Sequence, residues 1–390
     1  MAAGAVRRDG SVIAVFTGPT QYEAGTVFVS RLAAEWRAIG HDVIEIPAGD
    51  GLLAGLRTAL EHRARLFFGY NAAGADLAVG GEPVFERIDA RFVAWLVDHP
   101  VYHAARLQSC RSSAIVACVD RTHCGQVHAL APTVTTTAWV PHFGCDAPDT
   151  GEARDIGVLV PGTVRASAPM ATAWRAKGRA YEQACHAVRA EITRPDGAPL
   201  FDAARHAVAR HLPGETERTP YLPQAVAIDV DQFVRACRRE RIFEELRRMG
   251  VRATACGLAE PGASCLSGHH WIGPQPFLTA LALMRRARIV VDSGAAFPAG
   301  SHERGLSAAL NGAAVCVEAN AFWRDAMPGG TVGLFEWGDR EPLRLVAELL
   351  ADEPRRATLA EAGRAAVEAA HTVRHRAPEF LARAIDLLAA

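Results

Sequence analysis

The sequence predicts an α/β protein built from two doubly wound, Rossmann-like domains facing a cleft. Three observations predict it: the length, an alternation of apolar strands with one-faced helices that stops and restarts, and turn residues at the strand ends. At 390 residues the chain is long for one compact domain and suits two. Short, continuously apolar runs between amphipathic helices mark parallel sheets covered on both faces.

The first series opens with residues 11–17 (SVIAVFT), closed by Gly18-Pro19. Val27, Leu32, Trp36 and Ile39 then share a helical face, which Gly40 stops. Strands follow at 41–47 and, after a helix over 52–62, at 64–69, where ARLFFG delivers Tyr70-Asn71. Residues 91–97 (RFVAWLV) end in Asp98-His99-Pro100, and 114–119 and 138–141 complete the series. The polar stretch 146–154 reads as a linker.

The pattern restarts at 156–161 (IGVLVP), which ends in Gly162. Helices over 169–211 are interrupted at Pro195-Asp196-Gly197, and a helix over 231–249 stops at Gly250. Strands at 251–256, 288–292 and 313–318 follow, then helices over 342–370 and 377–389. The domains are therefore read as 1–150 and 151–376, with 377–390 as a closing helix.

Composition narrows the function. The 42 basic and 43 acidic residues nearly cancel, so no clustered positive charge points to nucleic acid or an anionic membrane. Neither a signal-peptide core nor a run of ~18–20 apolar residues is present, so the expected compartment is the cytoplasm. The nine cysteines follow no metal spacing and are expected as reduced, packed thiols.

The chemistry concentrates in 288–318 (RIVVDSGAAFPAGSHERGLSAALNGAAVCVE). A buried strand exits into a Gly/Ala/Pro loop, and Ser301-His302-Glu303-Arg304 opens a helix that stops at Asn311-Gly312. The amides and positive dipole end of a helix N-terminus suit a diphosphate. Arg304 adds a planar, permanently charged fork, and Glu303 can accept hydrogen bonds from sugar hydroxyls. On spacing alone, Ser301 as a simple helix cap with Glu303 in the first turn is an equal reading.

This stretch resembles the donor-site signature of glycosyl transferases group 1, especially the CgeB-like (spore-maturation-protein-like) branch. His302, Glu303, Arg304, Ala308 and Gly312 meet its H-E-R-x-x-x-A-x-x-x-G pattern. Residues 154–163 (RDIGVLVPGT), 270–274 (HWIGP) and 371–377 (HTVRHRA) resemble further pieces of the family in the same order. The resemblance implies the GT-B fold and a metal-independent glycosyltransferase, with no cofactor beyond a nucleotide-diphosphate sugar, in polysaccharide or glycoconjugate synthesis. It implies a donor site of Gly162, Thr163, Gly273, Ser301, His302, Glu303, Arg304 and Gly305 in the C-terminal domain. It also implies a closing helix that returns to the N-terminal domain. The pattern departs at Ser307, five before Gly312, where many members carry the second of two Glu residues.

The N-terminal domain would bind the acceptor. Asp98 and His99 follow a strand where a base would stand, and together with Glu303 they are the catalytic candidates. A helix-start turn capped by Asp98 accounts for the same residues. Gly18, Asn71, Tyr102 and His142 are the acceptor-side candidates, each also explicable as structural. Asp229-Val230-Asp231 spells a metal motif but reads as a helix cap, and Cys265, His269 and His270 lack a fourth zinc ligand. Lys177, the only lysine, reads as a solvated residue. The partners expected are a nucleotide sugar and an acceptor, not nucleic acid, with peripheral membrane contact left open. Two rivals remain: a catalytically silent GT-B binding protein, which has no turnover to lose, and a sugar-nucleotide epimerase, which needs no acceptor.

Overall fold

The computed structural model describes residues 12–194, 197–295 and 297–386. Ser11 of the first expected strand, the Pro195-Asp196 interruption and the last residues of the closing helix lie outside the described residues. The chain forms two compact units, residues 12–143 with 371–386, and residues 144–370.

The first unit is a six-stranded parallel sheet. Its strands are β1 (Val12–Thr17), β2 (Asp42–Pro47), β3 (Leu66–Tyr70), β4 (Arg91–Leu96), β5 (Ala114–Cys118) and β6 (Thr136–Trp139), in the order β2-β1-β3-β4-β5-β6. Val12 to Phe16 and Ala114 to Cys118 are buried throughout, as strands covered on both faces must be. The helix α1 (Ala24–Ala38) buries Phe28, Val29, Leu32, Ala33 and Trp36, a stripe with the period of a helix turn.

That stripe is covered by the closing helix Val373–Asp386, which begins four residues earlier than the sequence suggests. The Trp36 indole N–H donates to the Ala377 carbonyl at 2.8 Å. The Phe380 ring meets Phe68 and Trp95 edge-on at 5.2 and 5.4 Å. Arg376, buried, donates through Nε to the Pro141 carbonyl and through Nη2 to His371 Nδ1, both at 2.9 Å. A guanidinium enters this apolar layer because a carbonyl, an imidazole and the Glu379 carboxylate, at 3.4 Å, meet it.

The second unit has six parallel strands: β7 (Ile156–Pro161), β8 (Thr254–Cys256), β9 (His270–Trp271), β10 (Ala287–Asp292), β11 (Ala314–Glu318) and β12 (Gly333–Phe335). Their order is β9-β8-β7-β10-β11-β12, the 3-2-1-4-5-6 arrangement whose ligand crevice lies beyond the carboxyl ends at the reversal between β7 and β10. Around the sheet lie α4 (Ser167–Ala176), α5 (Arg179–Ile192), α6 (Leu200–His211), α7 (Leu222–Arg248), α8 (Phe277–Arg286), α9 (Glu303–Leu310), α10 (Ala321–Asp325), α11 (Arg344–Ala351) and α12 (Glu353–Ala370). The first unit holds α2 (Leu52–Glu61) and α3 (Arg121–Leu130) besides α1.

Three differences from the sequence reading have physical reasons. The helix expected over 231–249 starts at Leu222, with Pro223 in its first turn, where a missing N–H does no harm. Asp229 and Asp231 are therefore helix-interior residues, not caps. The single helix expected over 342–370 is two, broken at Asp352, because Pro354 starts α12. Finally, part of the expected linker is strapped to the second unit. The Ser307 hydroxyl accepts from Cys145 N at 3.0 Å, and Asn311 accepts from Ala147 N while donating to the Cys145 carbonyl, at 2.8 and 2.9 Å. Gly144 completes the strap, since a Cβ there would stand 2.9 Å from the Leu306 carbonyl oxygen.

The aromatic cover of the first unit gives a direct test. Phe380→Ala is expected to lower the unit's stability in urea denaturation by about 3–5 kcal/mol, the usual loss for a buried Phe. A change under about 1 kcal/mol would show that the closing helix is not part of that core.

Candidate functional site

The second unit's crevice is built on glycines. Gly162, directly after β7, has φ +115°, and a Cβ there would lie 2.5 Å from Arg239 Nη1. Its N–H donates to the Cys256 carbonyl at 2.7 Å, and Gly257 N–H donates to the Gly273 carbonyl at 2.9 Å. A Cβ on Gly257 would come within 2.3 Å of the Gly162 oxygen, so the two loops press backbone against backbone. Gly162 and Gly273, expected in one site, are thus linked through Gly257, which sequence reading did not single out. Thr163 follows, half-buried.

On the other side of the reversal, β10 ends in Asp292, only 5% exposed. Arg304 Nε reaches its Oδ1 at 3.0 Å and Arg239 Nη2 at 3.6 Å. Arg239, buried in α7, also donates from Nη1 to the Pro161 carbonyl, beneath Gly162. Two guanidiniums therefore hold one strand-end carboxylate and join β7, β10, α7 and α9.

Around this centre α7 presents a row of arginines. Arg235 pairs with Asp231 at 2.8 Å, and Arg238 pairs with Glu318, at the end of β11, at 3.4 Å. Glu318 also accepts from Gly294 N–H at 3.2 Å, fixing the start of the loop after β10. The same loop is held by Asn320, whose Nδ2 donates to the Phe297 and Gly300 carbonyls at 2.7 and 2.9 Å. Arg235, Arg238 and Arg239 were missed from sequence. Their signal is the spacing i, i+3, i+4, which prolongs the apolar face of Ile242, Phe243 and Leu246.

Residues 301–304 are drawn into this assembly. Ser301 is 1% exposed and does not cap α9, because His302 occupies the N-cap position. His302 Nε2 accepts from Arg304 Nη1 at 3.0 Å, which leaves the imidazole proton on Nδ1, against the Glu303 carboxylate. Glu303 is buried, and Gly305 passes so close to Trp323 that a Cβ would lie 2.7 Å from its ring. The tetrapeptide therefore packs on Asp292 and Phe297 instead of facing bulk solvent.

The first unit gathers some of its candidates and separates others. Asn71, in the left-handed region at φ +50°, donates to Asp98 Oδ2 at 3.2 Å and accepts from Val97 N–H at 3.0 Å. Asp98 itself is half-buried. The turn after it is capped by His99, whose Nδ1 accepts from Val101 N–H at 3.2 Å, and not by Asp98. His99 is buried, with its ring 4.5 Å from that of His123. His142 is packed among Phe28 and Trp95 at 5.4 and 5.2 Å. Tyr102 is half-buried on the turn, and burial holds its neighbour His103 below the usual imidazole range despite Asp98 nearby. Gly18 sits at the end of β1, where its carbonyl accepts from the Thr26 hydroxyl at 3.2 Å.

The discarded motifs are occupied structurally. Asp229 pairs with Lys177 at 2.6 Å and accepts from the Tyr181 hydroxyl at 2.9 Å, so Lys177 is an ion-pair partner. His269 accepts from Ala253 N–H and bonds the Phe243 carbonyl. None of the nine cysteines is in a disulfide, and burial pushes the Cys316 and Cys110 thiols up to about 12. Among the described residues, no helix is long and apolar enough to cross a membrane.

Burial pushes the Glu318 carboxyl above its ordinary range, and the nearby Arg238 only partly opposes this. A carboxyl raised on folding contributes stability that is present below the unfolded value, near 4.5, and is lost as pH rises through the folded value. The melting temperature of Glu318→Gln relative to the parent should therefore climb between pH 4 and pH 7. A flat difference would refute this burial effect.

Residues 238–382 match a family model described as glycosyl transferase-like. No protein of curated function matches the sequence significantly. Among solved structures, sucrose-phosphate synthase from Thermosynechococcus elongatus is similar over 97% of this chain and 99% of its own, at 11% identity and a TM-score of 0.57. The Anabaena protein HepE in complex with UDP and glucose is similar over 95% and 98%, at 12% identity and 0.53. An alpha-glucosyltransferase in complex with UDP-glucose and DNA containing an abasic site is similar over 97% and 99%, at 9% identity and 0.58. The chain accordingly has the GT-B fold of two Rossmann-like units, and its residues 238–382 carry a glycosyl transferase-like sequence.

Proposed function

We propose that the protein transfers a sugar from a nucleotide-diphosphate donor to an acceptor hydroxyl. The second unit holds the donor, and the observation that carries this reading is the assembly at its strand reversal. There a glycine loop at Gly162–Gly257 and the Asp292-centred arginines stand beside the N-terminus of α9. Glycines let a diphosphate approach the backbone, and amides and guanidiniums stabilise the charge that develops on it as the sugar leaves. The UDP and UDP-glucose held by structurally similar proteins support a nucleotide sugar as the donor.

Glu303, facing the His302 imidazole, keeps carboxylate lone pairs that can accept from sugar hydroxyls. Arg304 serves the diphosphate and is aimed by Asp292. Arginines meet the leaving charge, and Asp229 and Asp231 are engaged by Lys177 and Arg235, so the reaction proceeds without a metal bridging those carboxylates.

On the acceptor side, Asp98 is the base if the reaction inverts. We favour Asp98 over His99 for that role because His99 Nδ1 already accepts from Val101 N–H. Asn71 orients Asp98 and leaves the other carboxylate oxygen for an acceptor proton. The acceptor is a hydroxyl compound held by the first unit, and the protein works in the cytoplasm, where sugar nucleotides are the donors to hand.

The test combines calorimetry and turnover with a panel of nucleoside diphosphates and sugar nucleotides. Arg304→Ala should weaken binding of the active nucleotide at least tenfold. Asp98→Asn should leave that binding unchanged and reduce turnover by about 10²–10⁴, the usual contribution of a general base. Nucleotide binding indifferent to Arg304 would overturn the donor assignment. Product formed without acceptor would instead identify an epimerase.

A further inference from the structure

The second unit has another charged recess, at the opposite end of its sheet. Gly312 precedes β11 and Arg288 is the second residue of β10, whereas Asp292 ends that strand. Four residues of strand, about 13 Å, separate the two ends. The recess encloses about 520 Å³, the size of a small-ligand pocket. One wall is a single face of α12, and the other is formed by the strand starts.

Four arginines, Arg154, Arg288, Arg356 and Arg364, line it. Arg154 is fixed by donating to the Ala287 and Asn311 carbonyls at 2.7 and 2.8 Å. Among the described residues it forms no ion pair, and burial together with Arg285 and Arg364 holds its guanidinium below the ordinary range, which Asp149 offsets only in part. Gly312 makes room for it, since a Cβ there would stand 2.4 Å from Arg154 Nη2. Among the described residues Arg288 uses only Nε, toward the Arg154 carbonyl at 3.1 Å, and pairs with no carboxylate. Arg356, buried, donates to the Leu349 carbonyl at 2.7 Å, and Arg364 uses Nε toward Glu368 at 2.8 Å. Among the described residues the fold thus leaves the terminal nitrogens of Arg288 and Arg364 unspent beside Arg154, whose charge Asp149 offsets only in part. Two carboxylates, Glu353 and Glu361, also line the recess.

We propose that this recess is a second ligand site, distinct from the donor crevice, that takes a phosphorylated sugar or polyol. Guanidinium forks match the oxygens of a phosphate. Carboxylates repel phosphate but accept from hydroxyls, so the pair of chemistries selects a ligand that carries both. The site depends on no feature of the transfer reaction.

The experiment is calorimetric titration of the full chain with glucose 6-phosphate, with and without excess UDP. Saturable binding is expected in both conditions, weakened at least tenfold in Arg288→Gln/Arg364→Gln and unchanged in Arg304→Ala. Hydrogen exchange of the parent protein gives a second readout, independent of how the double variant folds. Glucose 6-phosphate should slow exchange over residues 353–364 and not over 301–310. Absence of binding, displacement by UDP, insensitivity to the double substitution, or protection confined to 301–310 would each overturn the proposal.

Discussion

Asp292 is a carboxylate buried at the end of a parallel strand, and such a charge is tolerated only when cations and donors surround it. Arg239 arrives from α7 and Arg304 from α9 to supply them. Each brings a further constraint. Arg239 reaches the Pro161 carbonyl, which puts its guanidinium where any side chain at residue 162 would collide, so that residue is glycine with a positive φ. Arg304 bonds His302, which sets the N-cap of α9 and turns the imidazole toward Glu303. Removing one partner from such a buried group typically costs about 3–5 kcal/mol, so the glycine loop and the α9 N-terminus are coupled through this one carboxylate.

The same economy of buried polar groups explains Ser307. In the related sequence pattern a glutamate stands there, but here the residue faces Cys145, where its hydroxyl accepts a peptide N–H with no exposure to solvent. Asn311, one turn later, satisfies both faces of the incoming segment. The α9 helix therefore has two duties: its first turn meets the crevice, and its buried flank ties down the start of the unit.

Much of this was legible in sequence because it is periodic or glycine-dependent. Continuous apolar runs located β1, β3, β4, β5, β7, β10 and β11, and Gly162 and Gly312 marked places where backbone or guanidinium needs the space of a Cβ. The short edge strands β9 and β12 carry too few residues for any period to be seen. The arginine row of α7 lies within the helix expected over 231–249, yet a local sequence does not distinguish a half-buried or buried arginine from a solvated one. Only three-dimensional pairing with Asp231, Glu318 and Asp292 shows Arg239 to be buried and Arg235 and Arg238 half-buried. Likewise, His99 and His142 look alike as strand-end histidines, yet one caps a turn and the other fills an aromatic layer. Imidazole serves either use, and local sequence does not separate them.

We propose that the Asp292-anchored crevice of the second unit receives a nucleoside diphosphate. A crystal structure of the full chain grown with UDP tests this most directly. Diphosphate density is expected against the Gly162 loop and the first turn of α9, with Arg304 in contact. Diphosphate bound elsewhere, with Gly162 and residues 301–304 untouched, would contradict it.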